Sequence, residues 1–185
     1  MYNKKINFIY KFICINYMKR YGTFPPKYWN FYTNKYLSFW NQYSNMSAIR
    51  DHKKRIEEHL EEIEQAVIIG IEKKPVTIGM HTSACSVEFL ELYLHKEGKI
   101  PIGKVVKHDW FKRPLPEQKI DPIIERKLKV SFPDKKSIYE FMYRIEENRT
   151  KLVYGRPTKD QIEATFKAFK ELEKILVEKI GDLDE

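Results

Sequence analysis

Apolar side chains recur at Ile56, Leu60, Ile63, Val67 and Ile71, three or four positions apart, while Glu57, Glu58, Glu61, Glu62 and Glu64 fill the intervening ones. That spacing gathers the apolar set on one face of a 3.6-residue helix. It predicts a helix from about Ser47 to Lys74, stopped by Pro75. A second helix is predicted from Val76 to about Glu97, with Val76, Met80, Ala84, Val87, Leu90 and Leu94 on one stripe and Phe89 and Leu92 widening it. The breadth of that face marks it as the most buried helix. Gly79, Ser83, Ala84 and Ser86 are small enough to admit a neighbouring helix closely, and Gly98 supplies a C-terminal stop.

Residues 98–133 hold Pro101, Pro114, Pro116, Pro122 and Pro133 and no sustained period. A loop is predicted there, with short helices around 104–112 and 121–128, the latter capped by Asp121 with Pro122 in its first turn. From Asp134 the helical period returns, with Ile138, Phe141, Met142, Ile145, Arg149 and Leu152 on one face. Gly155, Arg156 and Pro157 break it. Thr158 and Gln161 are spaced as a capping box for a last helix, whose buried face is Ile162, Phe166, Phe169, Leu172, Leu176 and Ile180 and whose stop is Gly181. No segment alternates with the period of a strand, so the fold class is all-α: an antiparallel four- to five-helix bundle with an extra N-terminal leader.

Composition separates that leader from the rest. Residues 1–45 carry seven Lys or Arg and no Asp or Glu; with 34 basic and 26 acidic side chains in all, residues 46–185 keep 27 against 26 and are nearly neutral. The formal charge of +8 therefore resides in the leader. Seven of the eight asparagines lie there too, whereas the Lys-, Glu- and Ile-rich remainder has the composition of proteins selected for heat. Residues encoded by A/T-rich codons dominate 1–45, so the stretch is expected to be disordered or to reflect a mis-set start, with Met46 as the natural one. The alternative is a basic arm, in which Lys and Arg among Tyr, Phe and Trp contact nucleic acid. A membrane role is not expected: the longest apolar run, Ile6 to Met18, is short and interrupted by Asn7, Lys11 and Asn16. Cys14 and Cys85 make neither a disulfide framework nor a ligand pair, consistent with a reduced, cytoplasmic setting.

The chain offers no Gly-rich phosphate loop, nucleophile elbow or paired Cys/His set, and no cofactor or metal is expected. His52 and His59 share a helix face, but read as surface or boundary residues; His81, His95 and His108 lack ligand-like spacing. Arg149 is the anomaly. A guanidinium on an apolar stripe keeps its charge and must find an acceptor: Glu146 or an acid of the last helix, a subunit contact, or an anionic ligand.

The run Glu147-Asn148-Arg149-Thr150-Lys151-Leu152-Val153-Tyr154-Gly155, closing one helix before a capped one, resembles the HEPN family, the nucleotide-binding helical domains of higher eukaryotes and prokaryotes. The stretch His81 to Gly98 is similar to that family's central helix. The resemblance covers about residues 46–185 and implies a homodimer whose motifs face each other. It also implies a metal-independent ribonuclease site, built from an Arg and a His four to six residues apart, and a frequent partner, a small nucleotidyltransferase, in a toxin and antitoxin pair. Arg149 matches the Arg, but Tyr154 stands where the His would be. A phenol, with a reference pKa of about 10, is a poor base. The catalytic candidates are thus Arg149 and Tyr154; the candidates for binding RNA or a nucleotide are Asn148, Arg149, Lys151 and Arg156, with Lys159 adding charge. A non-catalytic or weakly catalytic binding protein is the first expectation. A toxin-type endoribonuclease and a plain helical dimerisation protein are the alternatives.

Overall fold

In the computed structural model, residues 26–181 are described except 102 and 116, with side chains described from residue 48 onward. Five α-helices are present among them and no strand: α1 (Pro26–Ile69), α2 (Pro75–Lys96), α3 (Ile123–Lys127), α4 (Lys135–Tyr154) and α5 (Lys159–Ile180). Short 3₁₀ turns occupy Ile71–Lys73 and His108–Phe111. The chain divides into units 1–44 and 45–185, and the second holds everything that follows.

The predicted start at Ser47 falls inside α1, which begins at Pro26. Whether residues 1–25 are disordered lies outside the described residues. At its other end α1 stops at Ile69, because Gly70 takes a positive φ of 106°, and Pro75 then opens α2 at the one helical position that loses nothing by lacking an N–H.

Four helices run up, down, up and down. His52 of α1 meets Glu88 of α2 while His59 meets His81, so the two are antiparallel. Gly79, near the start of α2, lies against Leu152 and Val153 at the end of α4. Lys179 pairs with Asp134, bringing the end of α5 to the start of α4. Lys96 donates to the Ile180 carbonyl, closing α2 onto α5 end to end. Ile56, Ile78, Phe89, Leu90, Leu94, Ile138, Ile145, Leu152, Phe169, Leu172 and Leu176 fill the interior.

The approach at Gly79 is the tightest consequence of the small-residue pattern: a Cβ there would lie 2.7 Å from Leu152 Cβ. The predicted stripe is nevertheless wrong at its start. Val76 and Met80 remain exposed, as does Val67 on α1; at the start of α2 the buried face is instead Ile78, Gly79, Thr82 and Ser83. Asp121 does not cap α3; Pro122 holds the N-cap position without a side-chain bond. The capping box of α5 is present in both directions, Gln161 N–H to Thr158 Oγ1 and Thr158 N–H to Gln161 Oε1.

Candidate functional site

Arg149 sits on the inward face of α4 near its C-terminal end, one turn from Glu146 and one from Leu152. Both of those neighbours are buried. Its own side chain is half-buried, and its Nε is fully buried with no hydrogen-bond partner. Among the described residues no carboxylate comes within ion-pair distance of it. The expected pairing with Glu146 does not form, because Glu146 is already engaged. Its Oε2 accepts from Ser83 Oγ at 3.1 Å, and its Oε1 lies 3.0 Å from His108 Nδ1.

His108 reaches that carboxylate because its 3₁₀ turn is pinned to α4. Phe111 packs edge-on against Tyr139 at 5.5 Å, and Arg113 lies over the Tyr143 ring while bonding Glu140 at 2.7 Å. Ser83, Ser86, Val87, His108, Phe111, Met142, Ile145 and Glu146 line a pocket there, with room for about one water molecule. It is too small for a nucleotide. The histidine and serine of this cluster were not legible in the sequence. His108 lies in an aperiodic loop, and Ser83 reads as a spacer.

Arg149 and Tyr154 do not converge within one chain. They would converge only if the helix loosened near Gly155, and α4 is regular through Tyr154. Five residues of regular helix separate the two by about 140° around the axis, and Tyr154 is 77% exposed. Asn148 is half-buried on the same turn as Arg149, while Lys151 and Arg156 are exposed. Lys159 adds no free charge: Glu72 lies 3.1 Å from it and Glu163 3.5 Å. Met80 and Val76 expose apolar surface at the α2 end that packs on Leu152 and Val153.

A second polar cluster joins α1 to α2. His52, expected at a surface or boundary, is buried, with Nδ1 2.6 Å from Glu88 Oε2, 3.7 Å from Glu91 Oε2 and 2.9 Å from an Arg55 guanidinium nitrogen. Arg55 Nε also lies 2.9 Å from Glu88 Oε1. Glu91 Oε1 accepts the Val106 N–H, fastening the loop after α2. Burial alone would raise the Glu88 carboxyl, but the bonds from His52 and Arg55 hold it below the usual range. Glu91 is raised, because burial outweighs the Val106 bond. His95 is held below the ordinary imidazole value by burial and by neighbouring His52. His59, 3.2 Å from His81 between the Nδ1 atoms, is lowered by burial and then by that neighbour. Cys85 is buried and its thiol pushed up by desolvation, which leaves it inert as a nucleophile.

Fold and site together define an all-helical bundle with an unpaired arginine at one end and a buried His/Glu cluster between its first two helices. No family model, no curated protein and no solved structure matches the chain. Among the described residues no helix is long and apolar enough to cross a membrane.

Proposed function

We propose that this is a HEPN-like helical protein that binds the phosphate of an RNA or a nucleotide through the Arg149 end of the bundle. The observation that carries the reading is the buried, partnerless Arg149 Nε on a largely apolar face whose one buried carboxylate, Glu146, is engaged elsewhere. A buried donor without an acceptor costs about 1–3 kcal/mol, and the terminal guanidinium nitrogens beside it are not sealed in the same way, so an anion arriving at this end gains a charge-assisted bond to them. Exposed Lys151 and Arg156 extend the positive surface, and half-buried Asn148 offers an amide. Exposed Tyr154 supplies a ring on which a base can stack. The resemblance adds a homodimer and a small nucleotidyltransferase partner to the same proposal.

Binding of fluorescent single-stranded RNA and of a nucleoside triphosphate, followed by anisotropy and calorimetry, tests it. Arg149→Ala is expected to weaken binding by about 10- to 150-fold, the equivalent of one charged hydrogen bond. Arg149→Lys should recover part of this, as a point charge without the guanidinium fork. Equal affinity for wild type and Arg149→Ala would remove the proposal.

One observation favours a second, catalytic reading. His108 bonds Glu146, the residue one turn before Arg149, so an imidazole stands on the same helix face as the arginine. Imidazole is the commonest general acid–base group, and a phenol is a poor one. In a metal-independent ribonuclease built this way Arg149 stabilises the phosphate and His108 moves the proton. RNA cleavage abolished by His108→Ala and untouched by Tyr154→Phe is the expected pattern.

A further inference from the structure

We infer that His52, Glu88 and Glu91 form a binding site for one divalent ion of the zinc class, which ties α1 to α2 away from the Arg149 end. One nitrogen of His52 and one oxygen from each of Glu88 and Glu91 lie within 4.8 Å of one another. Glu88, Glu91 and His95 fall at i, i+3 and i+7, one face of α2. His52 meets them from α1, its ring 5.2 Å from that of His95.

Two independent features show that protein groups alone satisfy this cluster badly. The first is His52 Nδ1, a single atom that faces the Glu88 carboxylate at 2.6 Å and an Arg55 N–H donor at 2.9 Å. If Nδ1 carries a proton, it serves Glu88 and points a donor at the Arg55 donor. If it carries a lone pair, it serves Arg55 and sets that pair against a carboxylate oxygen. Every protonation state of the ring leaves one close contact repulsive. A divalent cation takes the lone pair of Nδ1 and the negative charge of both carboxylates together. Arg55, whose side chain is 43% exposed, can then release Nδ1 while keeping Glu88 Oε1, as the outer partner that orients a ligating carboxylate.

The second feature is His95 Nδ1, buried and without any partner, on a residue only 3% exposed. Unpaired buried imidazole nitrogen is costly unless something binds it. An imidazole with two carboxylates and no thiolate suits zinc over magnesium or calcium, which favour all-oxygen cages. With every candidate ligand at least half-buried and no open face on which to work, the ion's role is structural. It fixes α1 on α2 and, through Glu91 and Val106, anchors the loop after α2.

The test uses the full chain, stripped with chelator and titrated with zinc chloride alone in a calorimeter, with thermal melting alongside. One ion per chain is expected. At about a hundredfold excess over Kd the melting temperature should rise by roughly 5–10 °C. Glu91→Gln and His52→Gln should lose at least tenfold in affinity, while His59→Gln, at the separate half-buried pair with His81, should not. X-ray absorption on the wild-type complex provides a reading that does not depend on variants folding: only nitrogen and oxygen neighbours, with imidazole scattering, are expected. No zinc uptake, loss of binding in His59→Gln, or a sulfur neighbour from Cys85 would overturn the assignment.

Discussion

Replacing Arg149 by methionine should stabilise the folded protein, and the sign of that effect separates a ligand-binding arginine from a structural one. Methionine keeps the length and flexibility of the side chain and removes the guanidinium. Arg149 Nε is buried without a partner, and its expected acceptor Glu146 is satisfied by Ser83 and His108. The substitution therefore strands no carboxylate. It relieves one unsatisfied donor, about 1–3 kcal/mol, and adds apolar surface to a stripe already formed by Ile138, Met142, Ile145 and Leu152. For a protein of this length that corresponds to a rise in melting temperature of roughly 3–10 °C. Were Arg149 instead one half of a buried ion pair, its removal would leave an uncompensated charge and cost about 3–5 kcal/mol. Urea unfolding followed by far-ultraviolet circular dichroism measures the difference. The midpoint should rise at constant slope, showing that stability and not the compactness of either state has changed. A fall in the midpoint of more than about 1 kcal/mol equivalent would refute the claim that Arg149 is kept for a ligand.

Two further perturbations test the packing and the titrating groups. Gly79→Ala should destabilise by about 1–2 kcal/mol in the same urea assay although alanine is the better helix former, because the new Cβ would meet Leu152 Cβ at 2.7 Å and helix separation must increase. Stability should also fall as the pH drops below about 6.5, since the folded-state pKa values of His59 and His95 are both depressed. The unfolded chain then takes up protons first, so the contribution of these groups is complete above their ordinary value and lost as pH falls through the folded value. His59→Gln should flatten that slope in urea midpoints measured between pH 7 and 5; an unchanged slope would place the titration elsewhere.

The fold was legible because its signals are local and redundant. The periods of α4 and α5, the capping box at Thr158 and Gln161, and the stop at Gly181 each depend on residues within a turn or two of one another. Val76 and Met80 were misplaced because the small and polar residues Gly79, Thr82 and Ser83, which an apolar period does not count, form the buried face with Ile78 at the start of α2. Where the helices cross is set by Gly79, a contact between residues more than seventy positions apart. The same limit governs the site. Arg149 stood out because a charge on an apolar stripe violates a local rule. His108, Ser83 and Glu146 violate none, and their convergence depends on how Phe111 and Arg113 seat a loop on α4. The His52 cluster was missed for a related reason. Histidine spacing along one helix says nothing of the Glu88 and Glu91 carboxylates that another helix brings to it.

Helix α2 borders both polar regions, and this makes their independence measurable. Gly79 touches the Arg149 end of α4, and Glu91 lies in the His52 cluster. Twelve residues of helix separate the two positions, about 18 Å along the axis. Leu90, Phe89 and Ile145 between them are fully buried and part of the close-packed core. Substitutions more than about 10 Å apart with no shared partner add to within roughly 0.5 kcal/mol. The double variant Arg149→Met, Glu91→Gln should therefore show the sum of the two single effects in urea. An interaction energy above about 1 kcal/mol would mean that α2 transmits a change from one region to the other as a shifting rod. In that case zinc at His52 would alter phosphate binding at Arg149, and, because such coupling is reciprocal, phosphate would alter zinc affinity by the same factor.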